Sequence, residues 1–137
     1  MAPFIILFLY LGIVNFMTGL MSSEIKRRKY QTFWGGFGLW ILLALRSWTC
    51  GNDLFDGVGY IGYIPYFLHF KSYSFKEVLA STDEYERGYN TLNWLIVNLS
   101  ENPQIFLAII AAIELSLIGY TLYRHSPNII FSWIIFA

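Results

Sequence analysis

Long runs without a charged residue are the feature that most constrains this chain. From Ala2 to Met21, twenty consecutive residues carry no charge. An α-helix rises about 1.5 Å per residue, so roughly 20 residues cross the ~30 Å of hydrocarbon in a bilayer. Only 13% of the 137 residues are charged, about half the share in soluble domains. The run therefore predicts a membrane span and argues against a water-soluble globule.

Three further apolar runs follow the first. Residues 30–45 are uncharged and reach the required length if the flanking Lys29 and Arg46 side chains extend towards the headgroups. The run from Gln104 to Tyr123 holds a single charge, Glu114, near its middle. The last run begins at Asn128 and stops after too few residues to cross. We therefore expect three full spans and the start of a fourth.

The predicted fold class is all-α, a polytopic membrane protein with a long, partly helical outer loop. We treat residues 1–137 as a single transmembrane region. Because a helix that stops inside hydrocarbon leaves its last carbonyl groups unsatisfied, we expect the N-terminal part of a longer protein or a truncated gene product. A complete four-helix protein is the alternative. The predicted spans cover about 2–21, 29–48, 104–123 and, incompletely, 128–137, and the outer loop covers about 46–103.

The basic residues set the predicted orientation. The connection from Ser22 to Lys29 carries four basic residues against one acidic residue, and the next short connection carries Arg124 and His125. Basic connections are retained in the cytoplasm, so the N-terminus and the 46–103 loop are expected outside. That loop holds seven of the nine acidic residues: Asp53, Asp56, Glu77, Asp83, Glu84, Glu86 and Glu101.

The composition and the motifs of the chain exclude several classes of function. Nine Lys and Arg balance nine Asp and Glu, which leaves no electrostatic case for a nucleic-acid partner. The single cysteine, Cys50, cannot form an internal disulfide and lacks the neighbouring Cys and His residues of a structural zinc site. The chain also lacks a Gly-rich phosphate loop, a nucleophile elbow and a His-Glu-x-x-His motif.

The outer loop contains an aromatic segment and two predicted helices. The tyrosines from Tyr60 to Tyr73 are interrupted by glycines and by Pro65, which argues against a regular helix. The rings could stack on sugars or form an aromatic belt at the membrane surface. Phe75, Val78 and Leu79 predict a short helix. A longer helix, ending before Pro103 and lying flat on the interface or against the bundle, is predicted by Leu92, Leu95, Ile96 and Leu99.

Three charged residues near the ends of this loop could act on a substrate. Arg46 follows an apolar run, where a guanidinium can bind an anionic phosphate or simply extend to the headgroups. Asp53 lies two residues after Gly51, and Glu86 lies two before Gly88. Such carboxylates could orient or deprotonate a sugar hydroxyl, or be solvated loop charges.

The order of these features resembles the EpsG-like family, the Wzy-like polymerases of exopolysaccharide and O-antigen repeat units. In that family an Arg ends the second span, Gly-Thr-Asp and aromatic residues follow, and the loop later carries Glu-Pro-Gly-Phe. Here Arg46 is followed by Gly51-Asn52-Asp53, and later by Glu86-Arg87-Gly88-Tyr89. Asn52, Arg87 and Tyr89 thus replace the usual Thr, Pro and Phe. The tyrosine that follows the Asp in the family is either Tyr60 or Tyr63.

The resemblance implies an enzyme of the bacterial cytoplasmic (inner) membrane that transfers glycan from undecaprenyl diphosphate to a lipid-linked acceptor on the outer face. It implies catalytic roles for Arg46, Asp53 and Glu86, with Arg87, Tyr60, Tyr63 and Tyr89 binding substrate. Neither a cofactor nor a metal is implied. The expected partners are the undecaprenyl-diphosphate-linked oligosaccharide, membrane lipid and other polysaccharide-assembly membrane proteins.

Two alternative functions remain open at this stage. The chain could be a fragment of a polytopic transporter of lipid-linked saccharide, in which Glu114 and Asn15 line a polar path. It could also be a non-catalytic membrane accessory subunit that uses its spans for helix pairing. Because a carboxylate in the middle of a span is costly, we expect Glu114 to face other helices and to pair with a polar group such as Asn15.

Overall fold

The computed structural model describes residues 2–45, 63–80 and 87–137. Within these ranges every regular element is helical, which confirms the predicted all-α class. A one-turn 3₁₀ helix over Phe70–Ser72 extends the third α-helix. The seven α-helices in the described ranges are α1 (Ala2–Gly19), α2 (Glu24–Ala44), α3 (Tyr63–His69), α4 (Phe75–Ala80), α5 (Arg87–Leu99), α6 (Pro103–His125) and α7 (Ile129–Phe136).

The chain divides into two compact units. Unit 1 comprises Met1–Leu45 and Ile110–Ala137, and therefore contains α1, α2, most of α6 and α7. Unit 2 comprises Arg46–Ile109 and contains α3, α4, α5 and the first residues of α6. Its bounds are close to those of the predicted outer loop.

One described helix is long and apolar enough to cross a membrane, and it is α6. The 23 residues of α6 rise ~35 Å, slightly more than the hydrocarbon core. Residues Ile5–Gly19 of α1 form a shorter apolar helix. Crossings by α1 and α2, and an incomplete span at α7, stay predictions.

The core of unit 1 is organised around Trp133 of α7. This side chain is fully buried. Its indole lies where a side chain on Gly35 would otherwise be, because a Cβ there would lie 2.3 Å from Cδ1. Glycine at this position therefore allows α2 to approach the ring closely. A Cβ on Gly119 of α6 would make an ordinary contact, 3.5 Å from Cζ2. Leu7, Leu11, Leu39, Leu115, Ile129 and Ile130 complete the surrounding core.

The ring of Tyr10 packs against Gly38 of α2, as the Trp133 ring packs against Gly35. A Cβ on Gly38 would lie 2.4 Å from Cε1 of Tyr10, so this position also requires glycine. The Tyr10 hydroxyl donates to the carbonyl oxygen of Trp34 at 2.8 Å. Tyr10 thus joins α1 to α2 by packing and by a hydrogen bond.

The polar residues inside unit 1 pair differently from the prediction. Gln31 Nε2 donates to Thr18 Oγ1 at 3.0 Å and to Asn15 Oδ1 at 3.4 Å. Glu114 is exposed on α6. The expected pairing of Glu114 with Asn15 is therefore not found among the described residues, where Asn15 Oδ1 accepts from Gln31.

Arg28 joins α2 to the end of α6. Its guanidinium donates to the carbonyl oxygens of Tyr123 at 2.6 Å and Ser126 at 2.9 Å, and its Cζ lies 5.9 Å from the centre of the Tyr123 ring. A cation at a helix C-terminus is worth about 0.3–1 kcal/mol and satisfies carbonyl groups that the helix leaves free. Helix α2 begins at Glu24, so the basic cluster that was predicted to lie in a connection lies in its first turns.

The close approach at Gly35 generates a prediction. We expect Gly35→Ala to destabilise unit 1 by about 1–3 kcal/mol, because a methyl group forces the Trp133 ring to move. Gly12→Ala is the matched control, since its Cβ would meet nothing within 4 Å. It should leave stability unchanged or raise it by up to ~1 kcal/mol. Thermal unfolding in detergent measures both.

A double-mutant cycle tests the cause. Trp133→Leu should be less destabilising in the Gly35→Ala background than in the wild type, because the smaller side chain leaves room for the methyl group. Additive losses for the two substitutions would contradict the assigned clash.

Candidate functional site

Unit 2 contains a helix that the glycine and proline pattern argued against. Helix α3 runs from Tyr63 to His69 and continues into the 3₁₀ turn. Pro65 is its third residue, within the first turn, where backbone N–H groups have no partner inside the helix. The expectation of irregular structure is therefore wrong for residues 63–72, because Pro65 lies where a helix tolerates it.

The predicted site residues fall into two groups. Arg46, Asp53, Tyr60 and Glu86 lie outside the described residues. Tyr63 is the first residue of α3, while Arg87 and Tyr89 lie in the first turn of α5. Arg87 is exposed and Tyr89 is half-buried. Residues two apart on a helix point in different directions, so Arg87 and Tyr89 do not share one face.

Tyr89 packs against a tyrosine of α3. The rings of Tyr66 and Tyr89 are stacked with their centres 6.4 Å apart and their planes at 12°. The Tyr66 hydroxyl donates to Oδ1 of Asn90 at 2.7 Å. Phe70 supports Tyr66 by an edge contact at 5.0 Å. The tyrosine pair is thus held by ring packing and by a hydrogen bond to the next residue of α5.

Two asparagines on α5 are completely buried. Asn90 and Asn93 each have 0% of their surface exposed. Asn93 Nδ2 donates to the backbone oxygen of Tyr89 at 2.9 Å, which connects it to the tyrosine pair. Asn93 Oδ1 is buried and has no hydrogen-bond partner among the described residues. A buried carbonyl left in this way costs about 1–3 kcal/mol, so the position is chemically unusual.

The buried face of α5 differs from the predicted one. It is formed by Asn90, Asn93, Ile96 and Val97. Leu95 is 49% exposed and Leu99 is 80% exposed. The apolar spacing correctly predicted the helix, but only Ile96 of the predicted stripe is buried. The remaining leucines give α5 an outward apolar side, as an interfacial helix has.

The sequence interpretation missed Asn90 and Asn93. A usable signal was their spacing: two amides three residues apart lie on one side of a helix, away from Leu95 and Leu99. Polar residues on a buried face are uncommon and are normally hydrogen-bonded. The spacing of the two asparagines therefore indicates the buried side of α5 better than the spacing of the leucines does.

A second aromatic group lies between α3, α4 and α5. Trp94 Nε1 donates to the backbone oxygen of Tyr73 at 2.8 Å, and the Trp94 ring lies 5.3 Å from that of Phe75. His69 Nε2 and the Tyr73 hydroxyl are hydrogen-bonded at 2.8 Å. These contacts fix the chain between α3 and α4 against α5. They also leave the His69–Tyr73 pair largely exposed.

Charged groups are sparse around these rings. Lys71 and Glu101 form an exposed ion pair within unit 2. Exposed ion pairs contribute little to stability, so this pair does not hold unit 2 together. Among the described residues, no three His, Cys, Asp or Glu side chains come together as metal ligands would.

The arrangement offers two kinds of contact to a ligand. Stacked tyrosine rings present apolar faces and hydroxyl edges, and the buried amides next to them fix the ring positions. Arg87, on the same turn of α5, adds an exposed cation. Aromatic faces with a few oriented polar groups are typical of sites that bind partly polar small molecules.

In the residues that the structure describes, the protein is all-helical, with one helix suited to a membrane and with an aromatic, amide-supported surface in unit 2. The chain matches the EpsG family over residues 29–137 and belongs to that family. This confirms the resemblance noted in the sequence. The family is membrane-associated and acts in exopolysaccharide biosynthesis, at the polymerisation step. No curated protein and no solved structure matches the chain.

Helix α4 begins with a reciprocal cap. The Ser74 backbone N–H and hydroxyl both donate to Glu77 Oε2 at 2.7 Å. The Glu77 N–H lies 3.4 Å from Ser74 Oγ, which completes a capping box. The Ser74 hydroxyl, and then its backbone N–H, hold the pKa of the Glu77 carboxyl below its ordinary value of 4.5.

This cap predicts a pH dependence for α4. Because the folded-state pKa of Glu77 is lowered, its stabilising effect is present above the ordinary value and is lost as the pH falls through the lowered one. Amide hydrogen exchange of residues 75–80, compared at neutral and acidic pH, should accelerate on acidification. Glu77→Gln and Ser74→Ala should both reduce this change. If Glu77→Gln kept the full pH response, the cap would not be its source.

Proposed function

We propose that this protein takes part in polymerising an exopolysaccharide by transferring glycan from undecaprenyl diphosphate to a lipid-linked acceptor. Membership of the EpsG family supports the process. The observation that carries the proposal is the Tyr66–Tyr89 stack, which the Tyr66–Asn90 hydrogen bond fixes. Rings held in this way can bind a sugar face without being reordered each time, which lowers the entropy cost of binding.

The proposed reaction is a displacement at the anomeric carbon. The acceptor hydroxyl oxygen forms a bond to that carbon, and the bond from the carbon to the diphosphate oxygen breaks. Undecaprenyl diphosphate leaves, and the hydroxyl proton passes to a carboxylate, for which Asp53 and Glu86 are the candidates. A cation must balance the charge that develops on the diphosphate.

Two arginines are candidates for that cation. Arg46 directly follows Leu45, the C-cap residue of α2. Arg87 begins α5 and is exposed. A guanidinium can make two parallel hydrogen bonds to phosphate oxygens, whereas an ammonium acts as a point charge. We assign Arg46 to the diphosphate and Arg87 to substrate binding, together with Tyr60, Tyr63 and Tyr89.

The proposed location is the bacterial cytoplasmic membrane, crossed several times, with the N-terminus and the 46–103 loop outside. Arg28 supports this orientation, because it holds the basic start of α2 at the end of α6 that carries Arg124 and His125. The two basic connections are thereby brought to one side, as retention in the cytoplasm requires. The exposed leucines of α5 favour contact with the outer interface.

The tyrosine surface gives the first test. In cells that depend on this gene for polymer, Tyr89→Leu should lower polymer yield about two- to twelve-fold, because the lost ring contact is worth about 0.5–1.5 kcal/mol. Tyr89→Phe should keep most of the yield, since it keeps the ring. Tyr30→Leu, at an exposed tyrosine of α2, is the control. Wild-type polymer from Tyr89→Leu would remove the surface from the proposal.

Arg46 gives the second test. Bidentate binding of the diphosphate predicts that Arg46→Lys loses nearly as much polymer as Arg46→Ala, by more than ten-fold. A residue that only extends to the headgroups needs a positive charge, and its change to lysine should then be silent. Chain length on a gel and binding of undecaprenyl diphosphate measure the outcome.

The control for Arg46 is Arg27→Lys. Arg27 pairs with Glu24 on the exposed side of α2, where lysine can replace it. Wild-type polymer from Arg46→Lys would make Arg46 a membrane anchor. If all variants bound undecaprenyl diphosphate normally and none made polymer, the result would instead favour transport of the lipid-linked saccharide.

A further inference from the structure

Unit 1 contains an open groove of about 710 Å³ between α2 and α6. Phe33, Phe37 and Trp40 line it on the α2 side, and Leu115, Tyr120 and Tyr123 line it on the α6 side. Phe33 and Phe37 are stacked at 6.2 Å, and Phe37 and Trp40 at 5.8 Å. One wall is therefore a continuous row of aromatic rings that follows the helix axis.

The groove is deep because glycines form its floor. Gly36 and Gly119 line it, and Trp133 lies beneath them: a Cβ on Gly36 would be 3.3 Å from Cζ2 of that ring. The packing that closes the core of unit 1 thus also sets the depth of the groove. A floor without side chains suits a narrow, flexible hydrocarbon chain.

Lys29 gives one end of the groove a positive charge. It lines the groove and its side chain is exposed. Its neighbours are engaged elsewhere, Arg27 with Glu24 and Arg28 with the carbonyl groups at the end of α6. None of the ion pairs among the described residues involves Lys29. Its ammonium is therefore placed to meet an anionic group at this end.

The length of the groove selects among anionic lipids. Along α2, Lys29 and Trp40 are eleven residues apart, a rise of ~16 Å. Half of a ~30 Å hydrocarbon core is ~15 Å, the depth of one leaflet. One acyl chain of a glycerophospholipid fills this length, while a polyprenyl chain extends well beyond it.

We propose that this groove binds an anionic glycerophospholipid, with one acyl chain along the aromatic wall and the phosphate at Lys29. The site requires that α2 and α6 lie in a membrane, and it does not depend on the glycan transfer proposed above. A positive charge at one end of an apolar groove as long as one leaflet is deep matches the phosphate and the acyl chain of such a lipid.

The test uses the purified protein in nanodiscs that contain phosphatidylglycerol and phosphatidylcholine, with retained lipid counted by native mass spectrometry. Ser116→Phe should fill the groove, and we expect about ten-fold less retained phosphatidylglycerol. Thr121→Phe is its matched control. Both residues are exposed on α6, and both hydroxyls donate to the carbonyl four residues earlier, at 2.6 and 3.0 Å.

A second pair of variants tests the charged end without altering the groove. Lys29→Gln should remove the preference for phosphatidylglycerol over phosphatidylcholine. Lys26→Gln removes a charge from the same cluster outside the groove and should keep that preference. Because both lysines are exposed, these variants should fold even if Ser116→Phe does not.

Several outcomes would overturn the assignment. Equal retention of the two lipids by the wild type would exclude the charge pairing. Equal effects of Ser116→Phe and Thr121→Phe would exclude the groove. Displacement of phosphatidylglycerol by equimolar undecaprenyl phosphate would make the groove a carrier-lipid site, and loss of a dimer in Ser116→Phe would make its occupant a second copy.

Discussion

The contact between Trp133 and the glycines of α2 and α6 is the interaction on which unit 1 depends. A large indole has to enter a space that exists because Gly35 lacks a side chain, and Gly119 of α6 lies beside the same ring. The same contact joins α7 to two other helices and forms the floor of the aromatic groove. In a membrane, close packing of this kind replaces the hydrophobic effect as the force between helices, because lipid tails are as apolar as leucine.

Arg28 shows why charge alone does not describe the basic cluster. Counting charges predicts a bias to one side of the membrane, but Arg28 also supplies donors to carbonyl groups at the end of α6. Exposed Arg27, by contrast, pairs locally with Glu24. Three of the four basic residues thus have different contacts: Arg28 a helix end, Arg27 a surface pair and Lys29 the end of the groove.

Periodic and compositional signals predicted most of the helices. Uncharged runs placed α1, α2 and α6, and apolar spacing placed α4 and α5, because these signals act over many residues. The effect of single residues was harder to predict. Pro65 predicted irregular structure, although a proline in the first turn of a helix does not break it. The Tyr66–Asn90 hydrogen bond joins residues 24 positions apart, and the Arg28–Tyr123 bond joins residues 95 positions apart. The spacing of residues along one helix does not predict partners at such distances.

Asn93 leaves an unused hydrogen-bond acceptor inside unit 2. Its Oδ1 atom is buried and meets no donor among the described residues. A ligand hydroxyl that reached Oδ1 would gain an acceptor whose desolvation has already been completed by folding, beside the rings proposed to stack on it. Through Nδ2 the same amide donates to the Tyr89 backbone oxygen, so the unused acceptor and the Tyr89 ring are held by one hydrogen-bonded turn of α5. Helix α5 therefore contributes more than an exposed apolar side.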